Sequence, residues 1–135
     1  MRTKLFLVVL GAALLLTPVA LWAHHAFAAE FDSTKPVTLR GSVMKVELIN
    51  PHAWFHMDVK GDDGKVTRWM VEGAAPNALL RRGFTQDSLP IGTEIVVQGF
   101  RAKDGANRAN GSSITYTDGK KLFIGSTGTG APVEQ

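Results

Sequence analysis

The chain has 135 residues, with 15 Lys and Arg, 12 Asp and Glu and a formal net charge of +3 at pH 7, a length that accommodates a single domain. It contains no cysteine, which excludes disulfides, thiolate metal sites and thiol nucleophiles. Basic residues after position 23 are scattered among acidic ones, and this argues against a nucleic-acid partner, whose phosphates require clustered positive charge.

Residues 1–23 have the order of a secretory signal peptide. Arg2 and Lys4 give a positive start, an apolar run covers 5–16, and Pro18 with small residues follows. We therefore expect 1–23 to be cleaved and the mature protein to be periplasmic or secreted, without stable membrane insertion. The alternative is an uncleaved anchor, because 5–23 approaches the roughly 20 residues that span a bilayer.

The stretch LWAHHAFAAEF, residues 21–31, offers two cleavage positions. Local composition favours the triplet 26–28, which reads Ala-Phe-Ala, whereas the distance from the apolar run favours a cut after Ala23. We expect the cut after Ala23, which makes His24 the mature N-terminus. A cut after Ala28 would remove both His24 and His25.

Three predicted strands open the folded part of the chain. In the first, which starts at Val37, the apolar residues change alternation phase near Met44-Lys45, so a bulge or sharp bend is expected there. Proline at 51 ends this strand because it lacks a ladder donor. Residues 53–60 and 66–72 then alternate around Asp62-Asp63-Gly64, which is typical of a hairpin turn.

The second half predicts a helix and further strands. A short helix over 77–82, with Pro76 at its first position, is expected to stop at Gly83. A fourth strand covers 94–102, a polar loop extends from Asp104 to Gly111, and 113–117 with 121–124 form a closing hairpin.

This order predicts an all-β domain over 37–125, which resembles a small five-stranded OB-type barrel with one short helix between strands 3 and 4. A small sandwich is the alternative. Residues 24–36 are expected to be an N-terminal extension, and 126–135, rich in small and polar residues, a disordered tail.

Three stretches of the chain have a pattern in common with other proteins: NPHAWFHMDV at 50–59, VEGAAPNALLRRGF at 71–84 and GFRAKDGANRANG at 99–111. Together they resemble a family of small exported bacterial proteins of unknown function, over His24 to Gly125. Members of that family resemble one another in a His-His-Ser-Phe-Ala sequence just after the leader. The matching stretch here is 24–28, where Ala26 replaces the serine. The resemblance implies an exported location and a β-rich fold, and it implies no activity.

A mature N-terminal His24 would offer its α-amine and a ring nitrogen to one metal ion. A third imidazole would complete a nitrogen site suited to copper, and the candidates are His52 and His56. His52 and His56 cannot both bind the same ion from one regular strand, because four residues at about 3.3 Å each separate them by about 13 Å. His52 follows Pro51 at a bend, so it can point elsewhere. The structural alternatives are a flexible polar end, a turn residue at 52 and a solvated strand face at 56.

A second hypothesis is a binding module without metal, whose ligand is a small molecule or a periplasmic protein partner. Trp54, His56, Arg68 and Met70 fall on one face of adjacent strands if the hairpin is tight, and OB-type barrels bind ligands across strands 2 and 3. Alternatively, this face is simply core.

We predict that the protein is not an enzyme, hydrolase-like enzymes being the alternative. Ser42 and Lys45 match Ser-x-x-Lys, but a strand directs these two side chains to opposite faces. A pocket that holds a carboxylate next to a histidine would favour an enzyme.

Overall fold

The computed structural model describes residues 27–126. In chain order it contains β1 (Phe31–Leu48), β2 (Ala53–Lys60), β3 (Val66–Glu72), α1 (Pro76–Arg81), a 3-10 turn (Gln86–Ser88), β4 (Glu94–Ala102), β5 (Arg108–Tyr116) and β6 (Lys121–Phe123). A helical turn at 27–30 precedes β1. The expected signal peptide, His24 and the tail beyond Ser126 lie outside the described residues.

The strands form one six-stranded sheet in the order β3-β2-β1-β4-β5-β6, with every neighbouring pair antiparallel. One additional pairing joins β3 to β5 in parallel, with Met70 opposite Arg108 and Glu72 opposite Asn110. The helices are short. The prediction of an all-β domain is confirmed, and between positions 27 and 126 no helix has the length and apolar character needed to cross a membrane.

The predicted bulge in the first strand is confirmed. Val43 pairs with Met57 and Lys45 pairs with His56, so Met44 is the extra residue on β1. The additional residue reverses the alternation, and it lets Val43 before the bulge and Val46 after it both pack in the core.

The first strand is longer than expected, because it begins at Phe31 and not at Val37. Its early part pairs with β4, with Phe31 opposite Ala102 and Pro36 opposite Phe100. In the expected N-terminal extension, 31–36 are therefore strand, and 27–30 form the helical turn that precedes it.

The prediction of a polar loop up to Gly111 is wrong over 108–111, which begin β5. This stretch pairs with β4 on one side and with β3 on the other, so tertiary hydrogen bonding overrides a local composition typical of turns. Gly111 is buried there, and a Cβ at this position would lie 2.6 Å from a Val71 methyl carbon.

The core lies on the face that contains the odd-numbered residues of β2 and β3. Phe55 and Met57 are fully buried there, and Trp69 is buried beside them. Helix α1 begins at Pro76 as predicted and contributes Leu79 to the same core. The even-numbered residues of β2 and β3 consequently face outward.

Candidate functional site

His52 and Glu72 form the shortest histidine–carboxylate contact in residues 27–126, with Nδ1 of His52 2.5 Å from Oε1 of Glu72. His52 immediately precedes β2, and Glu72 ends β3 opposite Trp54. The Glu72 side chain is 10% exposed and that of His52 is 33% exposed. Within the described chain, the second ring nitrogen of His52, Nε2, makes no hydrogen bond, so it can accept a ligand.

Glu72 stands in a cluster of charged groups. Burial raises the pKa of its carboxyl above the ordinary value of 4.5, and the nearby charge of Glu30 adds to this rise, while His52 and Arg108 act to lower it. Arg108 approaches Glu30 with Nη1 3.2 Å from Oε2. The parallel pairing of β3 with β5 brings Arg108 to this end of the sheet, so the cluster depends on a contact distant in sequence.

The first described residues are held against the same region by a small aromatic cluster. Phe27 is 5% exposed, stacks on Phe31 and meets Phe100 edge to face, with both centroid distances 5.8 Å. The backbone amide of Lys103 donates to the Glu30 carbonyl at 2.9 Å, and the Lys103 ammonium donates to the Ala28 carbonyl. The chain just after His24 and His25 is thus fixed at the end of the sheet that contains Glu72.

The structure brings together the other predicted site residues on the outer face of β2 and β3. His56 pairs directly with Met70, and Asp58 pairs with Arg68. Arg68 donates two hydrogen bonds to the Asp58 carboxylate, from Nε at 2.8 Å and from Nη2 at 3.1 Å. These bonds hold the pKa of Asp58 below its ordinary value, and they commit Arg68 to a partner within the sheet.

His56 also has a carboxylate partner, since its Nε2 lies 2.7 Å from Oε2 of Glu47. A hydrogen bond from Lys45, followed by the one from His56, lowers the pKa of Glu47. An ionised carboxylate only accepts, so Nε2 of His56 donates to Glu47, and in that tautomer the lone pair of the ring is on Nδ1.

The two imidazoles proposed from the sequence as copper ligands are thus in separate environments, His52 beside Glu72 and His56 beside Glu47. Over 27–126 no group of three or more His, Asp or Glu side chains is arranged to hold a metal ion. The proposed N-terminal ligand His24 lies outside the described residues, so a site that includes it stays a prediction.

A histidine beside a buried carboxylate is the arrangement of a general base with its orienting partner. No hydroxyl in the described chain is hydrogen-bonded to His52, so a nucleophile is missing from this pair. A groove of about 620 Å³ lies elsewhere and is lined by Arg40, Ser42, Asp58, Lys60, Glu94 and Tyr116 among others. The His52–Glu72 pair is therefore separate from the cavity.

Sequence reasoning missed Glu72, Glu47, Glu30 and Arg108. A signal existed for Glu72, because a tight hairpin between 60 and 66 places it opposite Trp54 on the outward face. For Arg108 there was none, since it was assigned to a loop.

The comparisons with known proteins identify a family. A family model described as "Family of unknown function (DUF6152)" matches residues 13–112. No match was found among curated proteins or among solved structures. Since the family model covers most of the chain, the family resemblance predicted from the three sequence stretches is confirmed, and the chain belongs to DUF6152, a family of unknown function.

Proposed function

We propose that this chain is an exported, periplasmic single-domain module that binds copper through the α-amine and ring of a mature N-terminal His24 together with His52. The observation that carries the proposal is the contact between His52 and Glu72. Histidines that bind metals almost always donate their other ring N–H to a carboxylate or carbonyl, which fixes the tautomer and raises the basicity of the ligating nitrogen. Here the Glu72 carboxylate is the partner of Nδ1 of His52, and Nε2 of the same ring would bind the metal.

Chain geometry supports the involvement of His24. Three residues extend at most about 11 Å, and Phe27 is packed at the end of the sheet where Glu30 influences Glu72. Glu30 and Glu72 contribute two carboxylates against the one guanidinium of Arg108, a balance that favours a cation.

The proposal also includes an OB-type barrel. The parallel contact between β3 and β5 would close strands β1, β2, β3, β5 and β4 into a ring, with β6 as an appendage to β5. We propose this closure as the reason that the ends of β3 and β5 lie beside His52.

Titration of the mature protein with Cu(II) tests the proposal, after intact mass has established a start at His24. We expect one ion to bind with a dissociation constant tighter than micromolar, with nitrogen hyperfine couplings in the electron paramagnetic resonance spectrum. His52→Ala is expected to weaken binding by at least tenfold, and Glu72→Gln by about 10- to 100-fold, the usual effect of removing an outer-shell partner.

The matched control is His56→Ala, which removes an imidazole of the same sheet and is expected to leave Cu(II) affinity unchanged. Absence of binding tighter than micromolar in a protein that begins at His24 would exclude the proposal. Equal losses in His52→Ala and His56→Ala would also contradict it, because they would indicate a general effect on the fold.

A second candidate function is ligand binding on the outer face of β2 and β3, where Trp54, His56, Arg68 and Met70 lie together. The observation that favours it is the exposure of Met70, 38%, in the middle of a sheet face. Replacement of Trp54 by alanine is expected to abolish the change in tryptophan fluorescence that a bound ligand causes, without unfolding the domain. An unfolded variant would assign Trp54 to the core.

A further inference from the structure

The outer face of β2 and β3 has a centre that differs from its two ends. One end is occupied by the ion pair of Asp58 with Arg68, and the other by His52 with Glu72. His56 and Met70 lie between these ends, and Trp54 is the direct cross-strand partner of Glu72. We term Trp54, His56 and Met70 the soft-donor patch. The patch thus presents a thioether, an imidazole and an indole ring on one face of two adjacent strands.

The backbone register sets these three side chains side by side. His56 and Met70 are direct cross-strand partners, which places their Cβ atoms about 4.5–5.5 Å apart. Trp54 precedes His56 by two residues on the same face and is diagonal to Met70, a separation of about 7–8 Å that a large aromatic side chain bridges.

His56 is already oriented for a ligand. Its side chain is only 17% exposed, and Glu47, itself bonded to Lys45, accepts its Nε2 proton. Within the described residues, Nδ1 makes no hydrogen bond. The Met70 side chain, by contrast, is flexible at three bonds and has no polar partner among residues 27–126, so its sulfur can adjust to an ion.

We propose that the soft-donor patch binds a monovalent soft metal cation, Cu(I) or Ag(I), with Nδ1 of His56 and the sulfur of Met70 as ligands and the Trp54 ring against the ion. Thioether sulfur selects Cu(I) over hard cations. Tryptophan is the aromatic side chain that attracts cations most strongly through its ring face. The Glu47 carboxylate, which also accepts a hydrogen bond from the Lys45 ammonium, orients the His56 ring.

This inference narrows the ligand of the second candidate function and rests on that face being a binding surface. It is independent of the N-terminal copper site, whose nitrogen donors suit Cu(II) and include neither His56 nor Met70. An experiment can therefore disprove one of the two proposed sites without disproving the other.

Titration with Ag(I), which is stable in air and does not change its oxidation state, tests the patch. The mature protein is used in its wild-type form and as His52→Ala, which removes one proposed ligand of the N-terminal site. We expect both to bind one Ag(I) in the patch, with quenching of tryptophan fluorescence and a shift of the Met70 methyl resonance in carbon–proton correlation spectra.

Met70→Leu keeps the volume of the side chain and removes the sulfur, and it is expected to weaken Ag(I) binding by at least tenfold. The matched control is Met57→Leu on the buried face of the same sheet, which is expected to retain wild-type affinity. Circular dichroism and thermal unfolding establish that both variants are folded.

Ag(I) binding that survives Met70→Leu, or a Met70 methyl resonance that does not move, would overturn the proposal. Ag(I) binding lost in His52→Ala but kept in Met70→Leu would assign the ion to the N-terminal site and equally overturn it. Loss of Cu(II) binding in His52→Ala with Ag(I) binding retained would support two separate sites.

Discussion

Replacing Phe27 with alanine removes the side chain that holds the start of the described chain against the sheet. Phe27 is 5% exposed and contacts Phe31 and Phe100. Its cluster, which also includes Ala102, is separate from the main core. The substitution should therefore release residues 27–30 from the sheet and leave the main core intact.

The loss of docking free energy in Phe27→Ala can be estimated from the burial of the Phe27 side chain. Burying a phenylalanine side chain stabilises by about 1.5–3 kcal/mol, and each aromatic pair contributes about 0.5–1.5 kcal/mol beyond its buried area. A loss of about 3 kcal/mol in the docking free energy is a conservative sum. Since about 1.4 kcal/mol corresponds to a factor of ten, the population of the undocked segment should rise by roughly two orders of magnitude.

Amide hydrogen exchange measures this opening directly. The Lys103 amide donates to the Glu30 carbonyl, so its exchange rate reports undocking of the helical turn. We expect it to accelerate about 100-fold in Phe27→Ala, while amides of β2 keep wild-type rates. Ile91→Ala, at a residue that is 73% exposed, is the control and should change neither. Uniform acceleration across all strands would refute the reasoning, because the aromatic cluster would then be part of the global core.

Three further predictions concern the sheet, the buried carboxylate and the helix. Gly41→Ala should lower the unfolding free energy measured in urea by about 3 kcal/mol or more, because the new Cβ would lie 2.0 Å from the Asp58 carbonyl oxygen. The control Gly64→Ala, in open space at φ +78°, should lower it by about 1–2 kcal/mol, and equal losses in the two variants would contradict the close approach of the strands at Gly41. The pKa of Glu72 is raised above 4.5 in the folded state, so the folded state binds the proton more tightly than the unfolded state, and the wild type should lose stability relative to Glu72→Gln as pH rises from 4.5 through the raised pKa. If urea unfolding gave a stability difference between the two proteins that did not depend on pH, the prediction would be wrong. Leu79→Ala, at a fully buried position of α1, should lower the unfolding free energy by about 2–5 kcal/mol in the same assay, and a change below about 0.5 kcal/mol, typical of surface sites, would place α1 outside the core.

The outward face of β2 and β3 was predictable because it depends on local rules. A two-residue alternation and a short turn at 61–65 fix which residues of a hairpin oppose one another, and the observed pairs of His56 with Met70 and Asp58 with Arg68 follow from them. The bulge at Met44 was predictable for the same reason, because the apolar residues of β1 change their alternation phase at that point.

The charged cluster around Glu72 was not predictable in this way. Its members come from 30, 52, 72 and 108, and Arg108 reaches it only because β5 begins there and pairs with β3. A run of small and polar residues has no alternation that reveals a buried strand. Its burial is imposed by β4 on one side and β3 on the other.

The sequence by itself determined the all-β class, the hairpin, the helix that starts at Pro76 and the bulge in β1, because each depends on periodicity or on the backbone preferences of a few neighbouring residues. Only the tertiary structure decided that β1 extends back to Phe31, that β3 meets β5, and that His52 contacts a buried Glu72. These features are contacts between segments far apart in the chain, and their free energy comes from burial and strand pairing that no local pattern encodes.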